Sequence, residues 1–482
     1  MSLSTSLANA LSGLNVQARA ASVVSANIAN ATTEGYGRRE LDIVTRQIGG
    51  GVRVEGVTRN VDEAVIGERR GADAGFGLAD TRVSYLSSTL DIIGSPEDAG
   101  SLSGRLRQFE SALIEASGRP DEPVRLANVL ATAQSLSGEV NAISDGIQTL
   151  RQDADREIAL QVGALNAGLE AVRDLNAAIA GFNGAGRDAS ALIDQRQVAI
   201  DQIASIVPLR ELPRDDGKVA LITEGGAILL DVTAREIGFQ QTPIITPDMT
   251  LASGALSPIT IDGDPAAFDG PAASLAGGSL EALIRLRDET LPTQQARADA
   301  FARDLVDRFA DPALDATTAA GAAGLFTDRG AAFAPADLVG LAGRLEVNPA
   351  ADPDQGGALW RLRDGLGATV EGPVGNGQLL GAYYDALTTV APPADTTITT
   401  AARSTAGLAS DLSSLIGGEL LIAERDAEFR TALRDSLLQQ ERSGGVNTDD
   451  ELQKLLLIEQ SYAANARVIQ TLDELFQQII GL

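Results

Sequence analysis

"LANALSGLNVQARAASVVSANIANATTEGYGRRE", residues 7 to 40, decides how the rest of the chain is read. Leu7, Leu14, Ala21 and Ile28 recur every seven residues, and Leu3, Ala10, Gln17 and Val24 form a companion series offset by three or four. That spacing is a coiled-coil seam. The chain has a formal net charge of −28, yet it places no charged residue before Arg19. Copies of so neutral a helix can crowd together with little like-charge repulsion. Asn27, Asn30, Gly35, Tyr36 and Gly37 then stop the helix and turn the chain, and the turn is expected to orient the terminal rod against the body.

The other end carries a matching pattern. Leu455, Tyr462, Ile469 and Phe476 make one seven-residue series, and Ile458, Asn465, Leu472 and Ile479 make the second. A polar Asn465 inside an apolar seam can fix register at some cost in stability. The two ends are therefore expected to pair, with Leu7, Leu14, Ala21, Ile28, Leu455, Tyr462, Asn465, Ile469 and Phe476 at the assembly interface. Leu11, Leu452, Leu456 and Ala463 lie outside the main seams and give each helix a second apolar face. An isolated pair of this kind buries too little to offset the ordering of its backbone. Both ends are expected to be mobile in the free chain and to become ordered when neighbouring copies cover those faces.

Between the ends, Val124 to Ile206 contains no proline. Val129, Leu136, Ile143 and Leu150 continue as Ile158, Leu165, Val172 and Ile179 after an eight-residue step, which predicts one long helix, or two end to end, with a stutter near Ala154. Phe182-Asn-Gly-Ala-Gly186 supplies a stop and Asp188 the next start. Leu408, Leu415, Ile422 and Phe429 repeat at seven and predict a helix packed on the long one. "KVALIT", "AILLDV", "REIGFQ" and "SPITID" read as short strands in an insertion over 209–279, with "EGG" as a turn between the first two. A hairpin is expected near 39–57 around Gly49-Gly-Gly51, and irregular chain over 311–400. The fold class is mainly α and elongated: paired terminal helices (1–35 with 445–482), a long-helix body (36–208 with 280–444) and small β insertions.

Composition excludes much. The 482 residues are 44% hydrophobic but only 4% aromatic, so small aliphatic side chains on helix faces supply the core. With no histidine and no cysteine, Ser-His-Asp and Cys-His nucleophiles, disulfides and His or thiolate metal sites are impossible. A pI near 4.3 repels polyanions, and no basic run with interleaved aromatics offsets it, so nucleic acid is not an expected partner. No compact secretory leader and no spanning apolar stretch of about 18 residues stand out, so neither membrane insertion nor a cleaved signal is expected. Asp262, Asp264 and Asp269 in "IDGDPAAFDG" lack the spacing of a calcium loop and read as turn residues. "GNGQLLG" at 375–381 misses the dinucleotide fingerprint. Asp449, Asp450 and Glu451 complement a helix dipole. No catalytic, cofactor or metal residues are assigned.

Both ends carry a resemblance. Ser12-Gly-Leu14, Asn27-Ile-Ala-Asn30 and Thr33-Glu-Gly-Tyr36 resemble the N-terminal signature shared by the flagellar axial proteins of rod, hook and hook-associated type. "GVNTDDELQKLLLIEQSYAANARVIQTLDELFQQII", residues 445 to 480, looks most like the type 1 hook-associated branch of that family. Its Val-Asn-Leu-Asp-Glu-Glu stands here as "VNTDDE", with Thr448 and Asp450 as departures and Thr448 as a capable helix cap. "RPDEPVRLANVL", "LIDQRQVAIDQI" and "GGSLEALIRLRDETLP" fit the same branch. The family's variable outer domain lies between segments that stand here as "GLFTD" and "GGALWRLRDG"; the interval is short, so a large outer domain is expected to be missing.

The resemblance implies a non-enzymatic structural adaptor of the bacterial flagellum, exported by the flagellar type III apparatus without cleavage. Implied partners are its own copies in a ring, the hook protein, the next hook-associated junction protein, and a cytoplasmic export chaperone at the C-terminal helix. Arg38 and Arg39 are open to pairing with a neighbouring subunit. The alternatives are another axial component, such as hook-associated protein 3 or a hook subunit, and from a different class a secreted carboxylate-dependent hydrolase, for which no spacing nominates an acid pair.

Overall fold

A computed structural model describes residues 3–46, 50–270 and 273–480. Helix α1 (Leu3–Ala29) leads into a β-hairpin of β1 (Arg38–Thr45) and β2 (Val52–Asn60). Gly49, expected at the hairpin tip, lies outside the described residues. The body follows with α2 (Glu63–Ile93), α3 (Leu102–Gly118), α4 (Pro123–Gly184) and α5 (Ser190–Ala204), then a β-rich stretch, α6 (Ser279–Arg285) and α7 (Leu291–Phe309). After a looped region come α10 (Thr405–Ser443) and α11 (Thr448–Ile480). The molecule is mainly α, and α11 returns to pack on α1.

The proline-free run forms a single helix, α4, whose 62 residues span about 90 Å at 1.5 Å each. Pro123 sits at its first position, where the missing N–H costs nothing. It ends as the sequence requires: Gly186 is left-handed at φ 66° and the Arg187 N–H closes on the Phe182 carbonyl at 2.9 Å. The eight-residue step has a structural consequence. It turns Arg151 and Asp155 inward, and these separate two hydrophobic cores strung along one spine.

The first core joins α3, the N-terminal half of α4, α7, α9 (Gln378–Thr388) and the start of α10. At its centre Phe109, Phe309 and Phe326 meet edge-on or tilted at 5.1 to 6.2 Å. The second joins the C-terminal half of α4 to α5, α6 and the sheet β3 (Leu209–Pro213), β4 (Val219–Thr223) and β5 (Ile228–Leu230). Between them the Arg287 guanidinium meets Asp155 at 2.7 Å, both side chains fully buried. Arg287 sits in a π-helical turn, Leu286–Thr290, that joins α6 to α7. Among the described residues Arg151 donates only to uncharged acceptors, including the Arg287, Thr246 and Met249 carbonyls. Burial lowers its pKa, with Asp288 opposing.

Several expectations need correction. The helix carrying Leu408 packs chiefly along α2, not on α4. Its seven-residue series leaves the core as it proceeds: Leu408 is buried, Leu415 half-buried, and Ile422 and Phe429 are 62% and 68% exposed. A straight α-helix drifts by about 20° per heptad, so a strict seven-residue series cannot stay on one buried face without supercoiling. The buried face runs instead through Leu408, Leu412, Ile416 and Ala423.

Strand β3, which the sequence reading did not single out, pairs antiparallel with β4 from Leu209↔Thr223 to Pro213↔Val219. The strands expected in "REIGFQ" and "SPITID" shrink to β6 (Ile237–Gly238) and β7 (Thr260–Ile261), joined by β8 (Asp264–Pro265). The stretch 311–400 is not irregular throughout. It holds α9 and an antiparallel pair, β9 (Phe326–Asp328) with β10 (Leu345–Val347), besides the short helix α8 (Arg361–Asp364). One helical stretch among the described residues, within Thr405–Ile479, is by length and composition long and apolar enough to cross a membrane, with a third of the apolar window buried. This exceeds what the sequence reading allowed.

Candidate assembly interface and its joint

The α1–α11 pair is antiparallel. Gly13 faces Asn465, where an added Cβ would come within 2.9 Å of the Asn465 amide nitrogen, and Asn27 faces Glu451 at 2.9 Å. The two facing pairs are 14 residues apart on each helix (27 − 13 and 465 − 451), two whole heptads. Glycine at 13 thus makes room for the amide in the α11 seam.

On α1, Leu7, Leu14, Ala21 and Ile28 are all half-buried. The deepest apolar positions are Ala10 and Val24 of the companion series, and Val16, outside both. On α11, Leu455, Ile458, Asn465, Ile469 and Phe476 are half-buried, Leu472 is buried, and Tyr462 is 47% exposed. Further apolar side chains stay open to solvent: Leu11 on α1, and Leu452, Leu456, Leu457, Val468 and Ile479 on α11. A helix pair this apolar on its outer flanks has surface left for a partner.

Where the pair meets the body, the sequence places a dense polar cluster. Asn27 is fully buried and uses its whole amide. Its Nδ2 donates to the Arg39 carbonyl and to Glu451 Oε2, each at 2.9 Å; its Oδ1 accepts from the Tyr36 hydroxyl at 2.9 Å and the Arg39 N–H at 3.0 Å. One side chain thereby joins α1, the turn, β1 and α11. Burial raises the Tyr36 pKa, against the pull of Arg39, so the hydroxyl stays a donor. The Arg39 guanidinium lies 4.9 Å from the Tyr36 ring centroid.

Glu451 is 1% exposed, and Lys454 donates to its other oxygen at 2.7 Å. Asn30 caps the end of α1 by donating to the Ala26 carbonyl at 2.8 Å and accepts from Thr33. Gly35 is left-handed at φ 73°, and a Cβ there would come within 2.5 Å of Val198 on α5. The start of α11 departs from expectation. The Asn447 side chain accepts from the Asp449 N–H at 3.0 Å, so Asn447 is the cap and Thr448 the first helical residue.

The cluster continues into the body. Asp194 on α5 accepts from the Gly37 N–H, Arg39 and Arg59 at 2.7 to 3.0 Å. Arg39, expected to be open to a neighbouring subunit, is thus paired within its own chain, and Arg38 reaches only Glu40 among the described residues, at 3.5 Å. Gln197 bonds Arg59 and donates to Glu441 of α10 at 3.2 Å. Glu441 pairs with Arg69 of α2, which also meets Asp201 of α5 at 2.7 Å. Burial works to lower the Arg69 pKa, but Asp201, Glu441 and Asp73 outweigh it and raise it. Beside this cluster opens a cleft of about 860 Å³ between the 31–36 turn, the start of α2 and the 438–446 stretch.

Sequence reasoning named Asn27, Asn30, Gly35 and Tyr36, and the structure brings them together. It missed Asp194, Arg59 and Glu441, and read Glu451 only as a dipole partner. A signal existed: Asp194, Gln197 and Asp201 fall at i, i+3 and i+7, a polar stripe on one face of a helix whose other residues include buried Ile200 and Ile203. Of the acids of "IDGDPAAFDG", Asp262 pairs with Arg235 at 2.8 Å and Asp269 with Arg285, whereas Asp264, expected in a turn, opens strand β8. Among the described residues no three or more acids converge to hold a metal.

Three family models match the chain. The flagellar hook-associated protein FlgK helical domain covers residues 87–326, the flagellar basal body rod FlgEFG protein C-terminal model covers 441–482, and the flagella basal body rod protein model covers 7–36. Flagellar hook-associated protein 1 of Bacillus subtilis (strain 168) is 24% identical over 517 residues, spanning 98% of this chain and 97% of its own length. The protein of that name from Salmonella typhimurium is 26% identical over 64% of this chain, and the chain spans 56% of its length. The structure of the flagellar hook junction protein FlgK from Burkholderia pseudomallei superposes with a TM-score of 0.44 at 18% identity, over 54% of this chain and 46% of that one.

Proposed function

The chain belongs to the flagellar hook-associated protein 1 family, a structural component of the hook-to-filament junction, and from that premise we propose that its paired ends are the module by which copies assemble. The observation that carries the reading is the pairing of α1 with α11, at the two segments matched by rod-protein models, with apolar side chains left uncovered on its outer flanks. Neighbouring copies cover those flanks, and hydrophobic burial drives their association into a ring on the hook.

In this reading the body forms the outer layer and presents a surface to the next junction protein, on which the filament is built. The chain acts without catalysis. It leaves the cell through the flagellar type III apparatus, held beforehand by a cytoplasmic chaperone at α11. Deleting the gene in its own organism tests the function by electron microscopy. Hooks that form but bear no filament, with flagellin lost to the medium, are expected; normal filaments would overturn the reading.

A further inference from the structure

Between α4 and α7 lies a buried polar chain that runs in one direction. Ser144, Gln148 and Arg151 fall at i, i+4 and i+7 on α4, and Gln295 and Asp299 at i and i+4 on α7, all of them at most 8% exposed. Arg151 Nη1 donates to Gln148 Oε1 at 3.0 Å, Gln148 Nε2 to Gln295 Oε1 at 2.9 Å, and Gln295 Nε2 to Asp299 Oδ1 at 2.9 Å. A guanidinium only donates and a carboxylate only accepts, so the two ends force both amides to point the same way. Amides aligned in this manner strengthen one another and join a buried cation to a buried anion that it does not touch.

Each end of the chain holds a different surface segment. Asp299 accepts from the Gly340 and Ala342 N–H groups, each at 2.8 Å, in the loop between β9 and β10. Burial raises the Asp299 pKa, and these two N–H groups and Gln295 oppose the rise by donating to it. Arg151 donates to the Thr246 and Met249 carbonyls at 3.1 and 2.7 Å, in a strap over residues 242–257. The strap is tied at both ends as well, the Thr242 N–H to Asp155 at 2.7 Å and the Ser257 carbonyl to Arg287 at 3.1 Å. On the outside the two segments meet, since a Cβ on Gly340 would come within 3.2 Å of Pro247. Ile245 and Leu341 are buried beneath them, whereas Ile244 and Val339 are 67% and 57% exposed.

We propose that the 242–257 strap and the 338–342 loop are the two leaves of one clasp, which opens and closes as a unit because the chain Arg151, Gln148, Gln295, Asp299 locks both from beneath. Whatever grips one leaf then acts on the other. Cutting a middle link strands its neighbours: without Gln295, Asp299 loses a donor and Gln148 Nε2 loses its acceptor, although Gln295 bonds to neither leaf. Opening returns the polar atoms of the chain to water, which offsets part of the cost of uncovering Ile245 and Leu341. The clasp belongs to the body and stands on its geometry alone, so its failure would leave the flagellar reading and the paired ends untouched.

Native-state amide hydrogen exchange of the full-length chain tests it, read at Thr242 and Met249 in the strap and at Gly340 and Ala342 in the loop. In low guanidinium the four amides of the unmodified chain are expected to share one opening, with the same dependence on denaturant. Gln295→Met keeps the length of the side chain and should speed all four by about fivefold or more, with residues 106–113 of α3 changed far less. Arg151→Met should speed Gly340 and Ala342, to which Arg151 makes no bond. Combining the two should speed Gly340 and Ala342 by no more than about twofold beyond Gln295→Met alone, because the chain is already cut. Separate openings of strap and loop in the unmodified chain would overturn the clasp whether or not the variants fold. So would acceleration by Gln295→Met confined to the loop, or fully additive effects in the double variant.

Discussion

At the scale of single residues, buried polar groups do the dividing and joining that apolar side chains cannot. Arg287 and Asp155 keep the two cores of α4 apart, and both are withdrawn from water; Asp288 also pairs with Arg287 at 2.8 Å, so removing Asp155 leaves the buried guanidinium with one carboxylate instead of two. Asp155→Ala also orphans the Thr242 N–H, which donates to it at 2.7 Å, and should lower unfolding free energy by about 3 kcal/mol in urea titrations. Glu110 on α3 works the other way. Burial raises its pKa above the ordinary 4.5, against a smaller pull from Arg107. The folded chain then holds the proton more tightly than the unfolded one, so stability is greatest below 4.5 and falls as pH rises through the raised value. Glu110→Gln should therefore raise the melting temperature at pH 7, with the advantage fading on acidification. Melting curves of the two proteins across pH check this; an advantage that grew on acidification would contradict the sign.

At the scale of elements, legibility depended on whether one period governed the burial. The α1 and α11 seams, α4 and its glycine stop were readable because apolar residues recur at helix spacing and nothing interrupts them. The depth order within α1 was not readable, since α1 packs on a hairpin as well as on α11, and no seven-residue count contains that hairpin. The same limit explains α10, whose drifting series leaves Phe429 in solvent. Asp194 and Arg59, 135 positions apart in sequence, pair only once the hairpin has folded onto α5. At the seam, Gly13 and Asn465 are coupled by space. Gly13→Val should push the amide aside and weaken the pair by about 1 to 3 kcal/mol, and Asn465→Ala should return much of it in the same chain. A double-mutant cycle read by circular dichroism measures this, and strictly additive effects would show that the two positions do not meet.

At the scale of the whole molecule, the ends of a 482-residue chain lie side by side, joined through one buried amide to a body organised on one long helix. That pairing is what the proposed assembly depends on. A chain without cysteine allows it to be measured cleanly, since any thiol is one that has been introduced. Gly13→Cys with Asn465→Cys, expressed in the native organism and oxidised on intact flagella, should give a single intrachain disulfide in filaments that still form. Intact, filament-bearing flagella in which both thiols stay reduced under the same oxidant would contradict it.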